Sequence, residues 1–230
     1  MDVSSAGLVL AIDTAGEACA AAIFDPTDGR TLASNAPNIG KGHAERLMDV
    51  LSETLAAAGC RYRDIAQIAV GVGPGSFTGI RVGVAAARGL ALSLGIEAVG
   101  ITSLHASAET AADASGDLLV LRDAKRGEVY ALLVSDGHAG EPELLSLEDL
   151  QYRFGQGGAL RLLGSGAERG ALYLTGREIS IVGTSDAVDP AVLARLAVAG
   201  RTVRAAPLYL RGPDAKPQRP AGLFGSADIQ

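Results

Sequence analysis

The stretch that most constrains this chain is Gly73-Pro74-Gly75-Ser76-Phe77-Thr78-Gly79-Ile80-Arg81-Val82-Gly83, because an apolar run enters it and a helix of small residues leaves it. Ile68 to Val72 reads as a short buried strand and Ile80 to Leu94 as a helix. Glycines at 73, 75 and 79 let the backbone bend without Cβ clashes and let another group approach its N–H donors. At a helix N-terminus those donors attract an anion. Two readings follow: a turn that packs tightly, or one that contacts a phosphate. A Walker loop would close with Gly-Lys-Ser/Thr, and Phe77-Thr78-Gly79 stands there instead, which excludes an ordinary P-loop. The dinucleotide fingerprint spaces its glycines GxGxxG, whereas this run is GxGxxxG with Pro74 inside it and no βα unit before it. Glu97 downstream does not rescue that match.

The chain has 230 residues, enough for one large domain or two small ones, and 48% hydrophobic residues supply a core that needs no staples. Aromatics are 4% with no Trp, so the core must be built of Ala, Val, Leu and Ile, with glycines allowing close packing. A net charge of −6 argues against a chain whose main business is gripping nucleic acid. The one basic segment, Arg201, Arg204, Arg211, Lys216 and Arg219, reads as a solvated, partly disordered end. Cys19 and Cys60 lack CxxC spacing, so neither a disulfide framework nor a zinc site is indicated, and a reducing compartment fits. Met1-Asp2-Val3 carries no basic n-region and Asp13 interrupts the apolar run, unlike a signal peptide. Arg81, Arg88 and Glu97 divide the most hydrophobic region below membrane-spanning length. A soluble, cytoplasmic protein without membrane contact is expected.

An internal echo organises the rest. Gly16 to Asp25 aligns without gaps on Gly127 to Asp136, sharing Gly, Glu, Ala and Asp at equal places, and each copy follows an apolar run ending in Asp13 or Asp123. Each half is therefore predicted to open with a β-hairpin, giving two related lobes. In the first, the hairpin spans Leu8 to Phe24, followed by a strand at Thr31 to Ser34, a helix at His43 to Ala58, the strand and helix around the glycine loop, and a strand at Ala98 to Ile101. Leu47, Leu51, Leu55 and Ala58 make one apolar stripe on the 43–58 helix, which Gly59 ends. The second lobe begins with a helix at Ser103 to Ala114 and its hairpin, then becomes irregular before a helix at Pro190 to Val198.

Several residues invite a chemical reading. Asp13 follows a buried strand, where a carboxylate is costly unless it caps a turn, binds a cation or handles a proton. Asp123 faces the same choice, and Lys125 and Arg126 beside it read either as phosphate ligands or as a solvated hairpin tip. His105 and His138 have no ligand spacing, and Ser76 lacks the GxSxG elbow of a nucleophile. No catalytic residue and no metal ligand set emerges. Gly79, Gly83, Ala86, Ala87 and Gly89 give one helix an unusual density of small residues, each Gly costing about 1 kcal/mol against Ala. Either the chain's own sheet or a second subunit comes close there.

Five motifs in order, Leu10-Ala11-Ile12-Asp13-Thr14, His43-Ala44-Glu45-Arg46-Leu47, the glycine loop, Asp123 to Tyr130 and Pro207-Leu208-Tyr209-Leu210-Arg211, together resemble the bacterial TsaB (YeaZ) family. The resemblance implies a two-lobed actin-like, sugar-kinase-like α/β fold (ASKHA, ribonuclease H-like) with a reduced second lobe, divided as residues 1–102 and 103–230. It implies a part in making threonylcarbamoyladenosine in tRNA, as the non-catalytic partner of the transferase TsaD. Asp13, Thr14, Gly73, Gly75 and Ser76 become the nucleotide or phosphate candidates, with no intrinsic cofactor and ATP or ADP expected at the interface of the complex. His43, Glu45, Leu47, Thr78, Gly79, Arg81, Val82, Gly83, Ala86 and Ala87 become the partner interface, shared with a homodimer when the chain is alone. Leu47 stands where the catalytic relative's second metal-binding histidine would be needed. The ATPase TsaE is expected on the assembled pair, and tRNA contact mainly through the complex. The other reading is a small ATP-dependent phosphotransferase using Asp13 and the 73–79 loop.

Overall fold

The computed structural model describes residues 7–111 and 116–211. The first lobe runs β1 (Leu8–Asp13), β2 (Ala20–Asp25), β3 (Arg30–Asn35), α1 (His43–Ala58), a 3-10 turn (Tyr62–Asp64), β4 (Ile65–Gly73), α2 (Phe77–Leu94) and β5 (Glu97–Thr102). After α3 (Ser103–Glu109) come β6 (Asp117–Lys125), β7 (Glu128–Ser135), β8 (His138–Ala139), β9 (Glu143–Ser146), α4 (Asp149–Phe154), β10 (Leu160–Leu163), α5 (Ala167–Ala171), β11 (Ile179–Gly183), α6 (Ala191–Val198) and β12 (Val203–Arg204). The expected third helix ends at Glu109, and its last positions, 112–114, lie outside the described residues.

Alternation builds the first core. Along β1, Leu10 and Ile12 face the α1 and α2 side, while Val9 and Ala11 face α6. Both sets are almost wholly excluded from water, each large aliphatic side chain contributing about 1.5–3 kcal/mol of transfer free energy. The apolar stripe of α1 lies on this sheet through Leu47, Val50, Leu51 and Leu55, and Gly59 closes the helix in the left-handed conformation at φ 67°.

The two sheets share one plan. In the first the order is β3-β2-β1-β4-β5, with β1 antiparallel to β2 and parallel to β4. In the second it is β9-β7-β6-β10-β11, again with an antiparallel hairpin beside two parallel strands. This is the duplicated actin-like α/β fold. Its second copy is reduced: α4 and α5 have 6 and 5 residues where α1 and α2 have 16 and 18.

Chain order and lobe membership part company at the C-terminal end. Helix α6 packs on the first sheet through Ala191, Val192, Leu193, Ala194, Leu196 and Ala197, and β12 extends that sheet beside β5. Helix α3 in return lays Leu104 and Ala108 on Leu118, Val120 and Leu132 of the second sheet. The division at 102/103 is corrected accordingly, since each lobe covers part of its sheet with a helix that follows the other's last strand. The basic end is corrected as well: Arg204 is in β12, Arg201 pairs with Glu109 at 2.9 Å, and Arg211 pairs with Glu128. Lys216 and Arg219 lie outside the described residues. The hairpin echo holds in topology but not in register. Asp13 lies opposite Ala20, whereas Asp123 lies opposite Val129, the counterpart of Ala18, so the two carboxylates are not equivalent.

Candidate functional site

The mouth between the lobes is formed by two strand-to-helix turns, the first held by the β1–β2 turn and the second by the end of β6. Past β1, Asp13 Oδ1 accepts the Ala15 N–H at 2.9 Å and the buried Thr14 hydroxyl donates to the Gly79 carbonyl at 2.7 Å. The glycine loop answers with Ser76 N–H on the Ala15 carbonyl at 2.8 Å, while the Ser76 hydroxyl caps α2 by accepting from Gly79 N–H at 3.2 Å. A Cβ built at Gly75 would run into the Ala15 carbonyl oxygen, and one at Gly79 into that of Thr14. At Gly71 it would stand 2.5 Å from Asp13 Oδ1. The structure thus joins Asp13, Thr14 and Ser76 in one hydrogen-bonded unit, with Gly75 packed closely on Ala15 and Gly73 on Ile80, so that the close approach is made by the chain itself.

The second turn repeats the arrangement. Gly166 N–H donates to the Leu121 carbonyl at 2.8 Å, and Ser165 accepts from Asp123 N–H at 3.0 Å while donating its hydroxyl to Asp186 at 2.6 Å. Arg122 ties the turns together: its guanidinium donates to the Pro74 carbonyl at 2.7 Å and pairs with Asp186 at 3.1 Å, its side chain only 12% exposed. Sequence reasoning missed Arg122, Ser165 and Asp186. The available signal was Arg122 itself, a cation set directly after the apolar run Leu118 to Leu121.

Electrostatics separates the two carboxylates. Burial pushes the Asp13 carboxyl above its ordinary range, more than the Ala15 N–H and the Arg122 charge pull it down. Asp123 feels burial too, but Lys125 at 2.8 Å and Arg169 at 3.2 Å hold it below its ordinary range. Because the folded pKa of Asp13 is raised, it contributes stability below the unfolded pKa that is lost as pH climbs through the folded value. Asp13→Asn keeps the acceptor for Ala15 N–H and removes the titration. Its melting temperature should therefore gain on the wild type as pH rises from about 3 to 7, checked by thermal melts across that window; parallel curves would refute the buried charge.

The expected partner residues separate into two groups. His43, Leu47, Gly79, Gly83 and Ala87 are buried in the chain's own fold, which corrects their assignment to a surface. His43 Nε2 sits 3.3 Å from the Ala18 carbonyl, and a Cβ at Gly83 would collide with the Thr14 hydroxyl. Gly79 and Gly83 make room for the β1–β2 turn, whereas exposed Gly89 faces open space. Glu45, Thr78 and Arg81 are exposed, and Val82 and Ala86 half-buried on the flank of α2 that faces α1. Exposed Met48, Phe77 and Tyr209 were not foreseen. Arg81 stacks 3.7 Å above the Phe77 ring and donates to the Tyr209 hydroxyl at 2.7 Å. By length and hydropathy α2 alone among the described helices would suit a bilayer crossing, yet Ile80, Val84, Ala87 and Ala91 are buried against the protein.

A family model described as TsaD, tRNA N6-adenosine threonylcarbamoyltransferase, matches residues 36–194. The uncharacterized protein Rv3421c of Mycobacterium tuberculosis is 36% identical over 210 residues, covering 91% of this chain and 94% of its own length. The tRNA threonylcarbamoyladenosine biosynthesis protein TsaB of Escherichia coli is 39% identical over 124 residues, 53% of this chain and 52% of that one. Among solved structures, a Pseudomonas aeruginosa protein described as similar to peptidase YeaZ superposes with a TM-score of 0.75 at 27% identity, covering 89% of this chain and all (100%) of that one.

Proposed function

The chain belongs to the TsaB (YeaZ) family, and from that premise we propose that it serves threonylcarbamoyladenosine formation in tRNA as the non-catalytic partner of a TsaD-type transferase. One observation carries the non-catalytic reading: the glycine loop is bonded to the β1–β2 turn and, through Arg122 and Asp186, tied to the β10–α5 turn, at the place where an actin-like ATPase would present a carboxylate and a glycine loop to phosphate. In this reading the chemistry belongs to the transferase. This chain supplies a rigid face made of the outward side of α1, with Ala44 and Met48, and the adjoining flank of α2, with Val82 and Ala86. Holding the transferase's matching helices there would keep its catalytic cleft in a competent conformation. A twofold homodimer through the same helices would compete with the transferase, a TsaE-type ATPase would bind the assembled pair, and any ATP or ADP would lie at the shared interface. The compartment proposed is the cytoplasm.

Met48 is half exposed, at 51%, and is part of no core cluster among the described residues, so Met48→Arg should keep the wild-type melting temperature. The same variant should weaken co-purification with the transferase at least tenfold, as at an interface hot spot. Reconstitution of tRNA modification with each component omitted is the direct test. Modification by this chain without the transferase, or full modification by the transferase without this chain, would overturn the proposal.

A further inference from the structure

The chain is acidic as a whole, yet one strip of its surface is not. The segment after β12 crosses the end of β4, with Leu208 N–H donating to the Val72 carbonyl at 2.9 Å, and reaches α2, where the Tyr209 hydroxyl accepts from Arg81 at 2.7 Å. Two rungs of side chains join that strap to the helix. At the first, Arg81 lies over the Phe77 ring and beside the Tyr209 ring, the two rings 5.5 Å apart and 56% and 48% exposed. At the second, Arg88 and Arg204 line one shallow groove with Leu92, Ala98 and Ala205. Arg81 and Arg88 are seven residues apart on one helix face, two turns or about 10 Å.

None of Arg81, Arg88 and Arg204 makes an ion pair with a described carboxylate. Glu97 is near in sequence, but Ala98 lines the groove, so strand alternation turns Glu97 to the opposite side of the sheet. Two unpaired guanidinium groups in one groove repel each other, and a polyanion relieves that repulsion. Exposed aromatic rings at the end of an arginine row add a stacking surface, the combination that single-stranded nucleic acid uses.

We propose that Phe77, Arg81, Arg88, Arg204 and Tyr209 form a direct RNA contact, the arginines on phosphates of the tRNA and the rings against an unpaired base. The assignment rests on the tRNA-modification reading above and deepens it, since it makes this chain an RNA-contacting subunit and not only a scaffold. The strip lies on the strap flank of α2, away from the α1 flank assigned to the transferase, so both can be occupied together. Net negative charge elsewhere limits the isolated chain to weak binding; the strip makes it local.

The test is fluorescence anisotropy with an unmodified tRNA transcript at several salt concentrations, using the full chain alone and in complex with the transferase. The double variant Arg88→Gln, Arg204→Gln should lower affinity at least tenfold, and it should reduce the slope of log K against log salt by about 2, one counterion per lost arginine. Phe77→Ala should lower affinity without changing the slope, the signature of lost stacking. The double variant must keep its melting temperature and its association with the transferase. Unchanged tRNA affinity, or no measurable tRNA binding by the isolated chain at low salt, overturns the proposal. So does loss of transferase association with RNA binding intact, which would make the strip a protein interface. Failure of the chain to join the transferase at all would sink the adapter reading instead, while the isolated-chain titration would still decide this one.

Discussion

Gly83→Arg should yield no folded protein, although the residue sits in a helix whose other side faces solvent. Gly83 is buried, and a Cβ there would meet the Thr14 hydroxyl and lie 3.7 Å from Val70, with no flexible side-chain end to move aside. The Thr14 hydroxyl is fixed by its bond to the Gly79 carbonyl at 2.7 Å, so making room means breaking that bond or lifting α2 from the sheet. Overpacking of this kind costs about 1–3 kcal/mol for a methyl group alone. A buried, unpaired guanidinium adds several more, enough to consume a total stability of about 5–15 kcal/mol. Gly83→Ala is the informative milder variant. It gains about 1 kcal/mol of helix propensity and should still be destabilised by about 1–2 kcal/mol net in urea unfolding. A folded Gly83→Arg protein that merely fails to bind a partner would return the helix's small residues to an intermolecular role.

Arg177→Ala should be nearly as damaging, at a position no motif marks. Its side chain is 3% exposed and donates to the carbonyls of Gly158, Phe154, Gln156 and Ala159 at 2.6, 2.9, 3.0 and 3.2 Å, with Asp117 at 3.3 Å. One guanidinium therefore organises the whole loop between α4 and β10 and fastens it to the start of β6. Truncation takes the donor from the Phe154 carbonyl and from half-buried Asp117, while water can replace it at the exposed Gln156, Gly158 and Ala159, and a loss of about 3 kcal/mol is expected overall. Arg177→Lys should recover little, because an ammonium cannot present a planar fork to several carbonyls at once. Hydrogen exchange should show the loss concentrated in the β10 and β11 region, with β1 and β4 still protected. Uniform loss of protection in both lobes would mean that they unfold as one cooperative unit.

The sequence by itself determined the elements of the first lobe. Period-two and period-3.6 apolar patterns, with left-handed Gly59 and Gly95 as helix stops, are local properties that need no knowledge of partners. It also determined the duplication, since the echo around Gly16 and Gly127 marks two hairpins that the sheets confirm in order and direction. Where α6 packs was decided only in three dimensions. An amphipathic helix records that one face is buried but not against which sheet, and Ala191 to Ala197 settled on the lobe that precedes them. The glycines show the same limit more sharply. Gly75, Gly79 and Gly83 announce that something comes very close, and a missing Cβ leaves the identity of the neighbour open. Tertiary structure names it as the carbonyls and hydroxyl of Thr14 and Ala15. Arg122 and Arg177 were illegible for a related reason: their worth lies in carbonyls and carboxylates distant along the chain, Pro74 and Asp186 for the one, residues 154–159 and Asp117 for the other. Charge along a sequence gives a sum, whereas the row of Arg81, Arg88 and Arg204, none ion-paired with a described carboxylate, exists only because β12 and the segment after it are laid beside α2.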